Sequence, residues 1–244
     1  MFRSEDILWW YIGLQDILMW SIRTFAKKRP LILDAGCGTG KNIQILSHEG
    51  YNVVGFDASE EAIRYSKKRG LNVKRGTITK IPFRNNAFDC IICTDVFGIL
   101  KTQKERHKAV SEFNRVLKTS GILILHCAAL EELRSQHDTV THINRRFTKS
   151  ALASYFSRRD WQVMKLSYRI FFLFIPLFAI KLIKRILRRG SSATSDQIIL
   201  PNFLNNLLII IQLFENKILK WADLPIGTSL LFVVKKRPPD EVSG

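Results

Sequence analysis

With 244 residues, 46% of them hydrophobic and 24% charged, the chain can bury a full core, and its composition excludes a disordered tail or a polytopic membrane protein. The net charge of +17 predicts attraction to something anionic: a nucleic acid, an acidic lipid surface or an acidic substrate. Cys37, Cys90, Cys93 and Cys127 suggest no disulfide framework, and residues three apart in a strand point to opposite faces, so Cys90 and Cys93 share no metal and no metal site is expected.

Residues 5–26 read as an aromatic-rich helix containing Trp9, Trp10, Tyr11 and Trp20. Glu5 and Asp6 precede its apolar run and no small-residue cleavage site follows, which argues against a secretory signal and for a reducing, cytoplasmic location. Short β-branched runs then alternate with amphipathic ones, the pattern of a parallel sheet covered by helices. Strands are predicted at 31–35, 52–57, 71–75, 88–95 and 121–127, with helices at 41–49, 60–69 and 104–118 between them. A helix at 148–158, a strand at 161–167 and a last strand at 229–236 complete a Rossmann-like, doubly wound α/β fold with a seven-stranded sheet. The expected units are an N-terminal helix (1–30), a core (31–168), a helical insertion (169–227), and the last strand with the tail (228–244).

LILDAGCGTG begins in a strand and ends where a helix starts, so its glycines permit a tight turn and let a ligand approach the backbone, beside the free amides of a helix N-terminus. Dinucleotide-binding turns look alike, and the later residues separate the readings. Asp34, before the first glycine, would repel a pyrophosphate but suits a cationic methionine moiety. Asp57, at the end of the next strand, can accept hydrogen bonds from both ribose hydroxyls. Asn42 follows Gly40-Lys41 where a Walker A motif needs a hydroxyl residue.

Together with VVGFDAS (53–59), IPFRNNAFDCIICTDVF (81–97) and EFNRVLKTSGILIL (112–125), this turn resembles the class I S-adenosylmethionine-dependent methyltransferases, in particular the type 11 small-molecule group. The resemblance implies S-adenosyl-L-methionine as cofactor. It implies contacts from Asp34, Gly36, Cys37, Gly38, Gly40, Asp57 and Ala58, and a wall after the fourth strand at Asp95 and Val96. The family usually has an acid for the adenine amine after the glycine near strand 3. Here Gly76 is followed by Thr77, which leaves Thr77, Ile78 and backbone groups for adenine.

In a doubly wound sheet the acceptor belongs at the carboxyl ends of the strands, near 95–100 and after Cys127. The loop there concentrates His137, Asp138, His142, Arg145 and Arg146, and it resembles a subset of the same family with an H-x-x-R-R-[FY]-T segment and a late N…E…LP-x-G-T-S-L segment. The latter is matched by Asn202 or Asn205, Glu215 and residues 224–230. Methyl transfer is an in-line displacement that needs an aligned nucleophile and, for a hydroxyl, proton removal. His142 is the first expected base and His137 the second, with Asp138 orienting either; the alternative is that these side chains hold the loop together. Tyr11, Arg145 and Arg146 are the expected substrate contacts.

Residues 170–180 are apolar but interrupted by Pro176, too short a run for a comfortable membrane span of about 20 residues. Continued as a helix, Lys181, Lys184, Arg185, Arg188 and Arg189 oppose Leu182, Ile183, Ile186 and Leu187, so residues 170–189 suit either an anionic membrane surface on the inner face or a lid over a greasy pocket. A helix at 203–219 carries a stripe of Leu204, Leu207, Leu208, Ile211, Phe214 and Ile218, which is expected to pack on the core. The function expected from these features is methylation, preferably at oxygen, of a hydrophobic or lipid-linked small molecule. Nucleic acid is expected not to be the partner, because no Asn/Asp-Pro-Pro-Tyr motif or added RNA-binding module is visible. The alternatives are a nucleic-acid methyltransferase and a non-enzymatic membrane-surface protein that retains the fold.

Overall fold

The computed structural model describes residues 7–174, 176 and 201–238. In chain order the elements are α1 (Trp9–Phe25), β1 (Leu31–Ala35), α2 (Lys41–His48), β2 (Asn52–Asp57), α3 (Glu60–Lys68), β3 (Val73–Arg75), β4 (Phe88–Thr94), α4 (Gln103–Val116), β5 (Leu117–Ala128), α5 (Gln136–Val140), α6 (Lys149–Ala153), β6 (Trp161–Arg169), α7 (Asn202–Leu219) and β7 (Ser229–Lys236).

One seven-stranded sheet has the order β3-β2-β1-β4-β5-β7-β6, with β7 antiparallel to both neighbours and the other pairings parallel. The chain moves outward from β1 to β3 and then returns to place β4 on the other side of β1. This reversal opens a crevice at the carboxyl ends of β1 and β4, where such sheets bind ligands. The central strands are apolar on both faces, as a sheet covered on both sides requires: Ile32, Leu33, Cys90 to Cys93 and Leu123 to Leu125 are fully buried.

Local chemistry sets several boundaries. Thr102 and Glu105 form a reciprocal capping box at the start of α4, and Ser59 and Thr148 cap α3 and α6. The predicted helix at 104–118 ends earlier, because Leu117 already pairs with Phe88 and β5 begins there. The predicted helix at 148–158 is five residues long, since Phe156 turns inward against Phe97, Trp161 and Phe232. The strand predicted at 71–75 starts at Val73.

The main departure from expectation is α7. Its buried residues are Gln212, Glu215, Asn216 and Leu219, whereas Leu207 and Phe214 of the predicted core stripe are 48% and 57% exposed. The polar face turns inward because it holds backbone groups elsewhere. Asn205 caps α1 from outside, accepting from Trp9 N (3.0 Å) and donating to Ile7 O (2.7 Å). Asn216 donates to Gly13 O and to Asp16, and a Cβ at Gly13 would stand 3.0 Å from Gln212, so α1 and α7 approach closely. The predicted basic helix at 181–189, and Glu5 of the N-terminal match, lie outside the described residues. Among the described residues, no helix is long and apolar enough to cross a membrane.

Candidate active site

The turn between β1 and α2 holds Gly36, Gly38 and Gly40 at φ +79°, +53° and +79°, the left-handed region that other L-residues enter at a cost. A Cβ at Gly36 would collide with Val96 Cγ2, which shows how closely the post-β4 loop rests on the turn, and one at Gly40 would meet Leu71 at 2.5 Å. At Gly38 a Cβ would meet nothing within 4 Å, so the turn is open above this residue. Its amide donates to Asp57 (2.8 Å) while Ser66 Oγ donates to its carbonyl (3.0 Å), fixing the peptide from both sides.

Asp57 is presented by β2 with one oxygen on Gly38 N and the other on Ser59 N (2.8 Å). A carboxylate has about four lone-pair sites, so both oxygens retain capacity for a diol. Asp34 is fully buried and neither of its oxygens has a hydrogen-bond partner among the described residues. Burial first, and the neighbouring Asp57 charge second, raise its carboxyl to about 7, with Asn42 opposing them. An orphaned buried carboxylate beside an open glycine cradle fits a cofactor that brings positive charge and a ribose. S-adenosyl-L-methionine meets those demands.

The other expected cofactor residues lie around this crevice. Cys37 packs its side chain with Ile43 and Val73, with its thiol 3.9 Å from Gly38 O; burial raises the thiol pKa. Ala58 is exposed just beyond Asp57. Thr77 is exposed with its hydroxyl on Thr79 (3.0 Å), and Ile78 is buried, which leaves its backbone for an adenine. Asp95 stands at the crevice with φ +60° and a side chain 29% exposed, and Val96 is half-buried against Gly36.

In the acceptor loop the charged side chains meet one another. Asp138 is fully buried and paired with Arg146, whose Nε and Nη2 donate to one carboxylate oxygen (3.0 and 2.8 Å), and Ser135 N donates to the other. Arg146 also donates to Ala129 O (2.9 Å), so this pair ties the loop to the end of β5. The pair therefore holds the loop together, with both guanidinium donors on Asp138 Oδ1 and only the Ser135 amide on Oδ2, which keeps a lone pair. His142 is exposed at φ +58°, and the side chain of His137 lies outside the described part. Arg145 is exposed, and its amide and that of Asn144 both donate to Gly98 O, docking the loop on the post-β4 segment. Tyr11 packs edge-on to Trp10 (4.8 Å between centroids), and Trp10 in turn meets His126 (5.8 Å).

The model of the methyltransferase domain matches residues 33–125, the segment that builds this crevice from β1 through β5. Residues 33–125 thus match a methyltransferase domain. Its fold recurs in the solved complex of the Haloferax volcanii Trm112 methyltransferase activator with a methyltransferase, at TM-score 0.60 and 15% identity over 97% of this chain and 93% of that one. It recurs in an S-adenosylmethionine-dependent methyltransferase from Thermotoga maritima, at TM-score 0.60 and 15% identity over 96% and 94%. In sequence the chain is 32% identical over 148 residues to "Probable tRNA methyltransferase 9B" of Mus musculus, covering 59% of this chain and 30% of that protein. It is 31% identical over 102 residues to "tRNA (carboxymethyluridine(34)-5-O)-methyltransferase" of Arabidopsis thaliana, covering 42% and 25%. The chain thus spans less than a third of the length of these relatives. Their names overturn the expectation that a nucleic acid is excluded as partner.

Three functional features escaped the sequence. His126 sits inside the apolar run of β5, Arg169 ends β6 just before another apolar run, and both read as isolated polar residues. Glu215 belonged to the matched late segment, but its place under β6 had no signal in the helical periodicity.

Proposed function

We propose that the chain transfers the methyl group of S-adenosyl-L-methionine to a nucleic acid, with RNA of the tRNA class as the acceptor. The cofactor supplies an electrophilic methyl on a cationic sulfur. Asp34 and the Gly36–Gly40 turn hold its methionine end, Asp57 its ribose, and Ile78 and Thr77 the adenine edge. The acceptor approaches at the carboxyl ends of β4 and β5.

The observation that carries the nucleic-acid reading is the charge. The +17 excess includes Lys101 and Arg145, exposed on loops that border the acceptor end, and Lys104, exposed in the first turn of α4, and such cations neutralise phosphates and release counterions. The tRNA methyltransferase names of sequence relatives support the same reading.

The test is incubation with methyl-labelled S-adenosyl-L-methionine and tRNA from cells lacking the protein. The expected result is label that ribonuclease releases, with RNA affinity falling steeply with salt. Label recovered only in an organic extract would return the acceptor to the small-molecule class and refute the proposal.

A further inference from the structure

A line of ionisable side chains runs inward from the acceptor edge of the crevice across the ends of β4, β5 and β6. Asp95 is its open end, and its amide is held by His126 O at 2.8 Å. His126 is fully buried, with Nδ1 at 3.2 and 3.3 Å from the two Asp95 carboxylate oxygens. Its Nε2 lies 3.1 Å from Nη1 of Arg169, which is 1% exposed.

This geometry fixes a tautomer. A guanidinium only donates, so His126 Nε2 must accept, and the single proton of the neutral ring sits on Nδ1, pointing at Asp95. Asp95 is therefore held as an acceptor, with its remaining lone pairs free toward the crevice.

A buried guanidinium is expensive, and packing alone gives no reason to keep one where an apolar side chain would do as well. Arg169, at the end of β6, reaches the ring on β5 although β7 lies between the two strands. Its charge is offset by Glu215, Asp95 and Asp16, and burial still brings its guanidinium down to about 10. Its Nε and Nη2 have no hydrogen-bond partner among the described residues. Glu215 is itself locked by the amides of Ile170, Phe171 and Phe172, and Trp10 of α1 packs edge-on to the imidazole. The helix pair α1 and α7 thus serves to seal one buried cation behind a histidine that touches the crevice through Asp95.

We propose that Asp95 is the catalytic carboxylate that takes the acceptor's proton, that His126 and Arg169 are its positioning residues, and that the methylated atom belongs to a hydroxyl or an N–H group. The proposal rests on the methyl-transfer reading above. The bond from the acceptor atom to the methyl carbon forms as the carbon–sulfur bond breaks, its electron pair stays on sulfur, and the acceptor's proton passes to a carboxylate oxygen of Asp95.

The test has two arms. Nitrogen-15 spectra of the histidine-labelled full chain near neutral pH, which need no acceptor, should show His126 neutral with the proton on Nδ1. They should keep that state in Arg169→Lys and lose it in Arg169→Met. A proton on Nε2 in the wild type overturns the proposal. In single-turnover methylation of RNA at saturating S-adenosyl-L-methionine, which removes any effect on cofactor binding, Asp95→Asn should be slowed at least about 100-fold, the range of general-base removal. Arg169→Lys should recover part of the rate lost in Arg169→Met. If Arg169→Met does not fold, Asp95→Asn, at a partly exposed position, still decides the matter, and wild-type speed in that variant overturns the proposal. If the wild type methylates no RNA, the nucleic-acid reading fails and the tautomer decides this one alone.

Discussion

Replacing Gly38 by alanine separates the cost of the turn from the cost of filling the cofactor's space. At φ +53° an alanine pays the left-handed penalty of about 1–2 kcal/mol, and because its Cβ meets nothing within 4 Å, no clash adds to it. For a chain of this size about 1 kcal/mol lowers Tm by about 2–4 °C, so the apo variant should melt only a few degrees early. The new methyl, however, occupies the opening over the peptide that Asp57 and Ser66 hold. Cofactor affinity should fall at least about tenfold, equivalent to about 1.4 kcal/mol. Gly36→Ala is the counterpart: the same backbone strain plus a collision with Val96 should add about 1–3 kcal/mol of overpacking, so it melts distinctly lower. Thermal denaturation and calorimetric titration with S-adenosylhomocysteine read the two effects separately. Undiminished binding by Gly38→Ala, or a larger stability loss there than in Gly36→Ala, would refute the reasoning.

Asp34 makes the apo protein pH-sensitive: its folded carboxyl, at about 7 against an ordinary 3.8, holds a proton that the unfolded chain releases. Its contribution is therefore fully present below about pH 4, is lost as pH rises toward 7 and is flat above, and denaturant titrations should show Asp34→Asn abolishing that decline while weakening the cofactor. Asp138→Ala leaves Arg146 buried without its partner and should cost about 3–5 kcal/mol, most of it recovered in Asp138→Ala with Arg146→Met; loss of turnover at unchanged stability would contradict the structural assignment of this pair. Glu215→Ala strips three backbone amides of their acceptor and should destabilise by at least about 3 kcal/mol in urea unfolding, with Glu215→Gln in between; a change below about 1 kcal/mol would show that the amides find other partners.

The sheet and the cofactor crevice were legible because their signals are local. Strand runs such as LILDA and SLLFVVKK alternate with helices at short range, and a glycine turn between a strand and a helix carries its own backbone chemistry. The acceptor side was not legible for the opposite reason. Whether Asp138 is a catalytic orienter or half of a buried pair depends on how eight residues of loop fold back, and spacing alone left both readings open. The α7 periodicity pointed the wrong way because an apolar stripe says which residues are greasy, not which face is needed: Asn205, Glu215 and Asn216 were pulled inward by backbone groups of α1 and of the segment after β6, about 200 and 45 residues away. His126 and Arg169 meet only because β7, the last strand, inserts between β5 and β6, a topological fact that no window of sequence contains.

The measurement that bears most directly on the account is calorimetric titration of S-adenosylhomocysteine into the wild type and Asp57→Ala. One molecule should bind per wild-type chain, and removing the carboxylate that Gly38 and Ser59 hold in place should weaken binding by at least about tenfold, or about 1.4 kcal/mol. No binding to the wild type, or equal binding to both proteins, would contradict the assignment of this turn as the seat of the methyl donor.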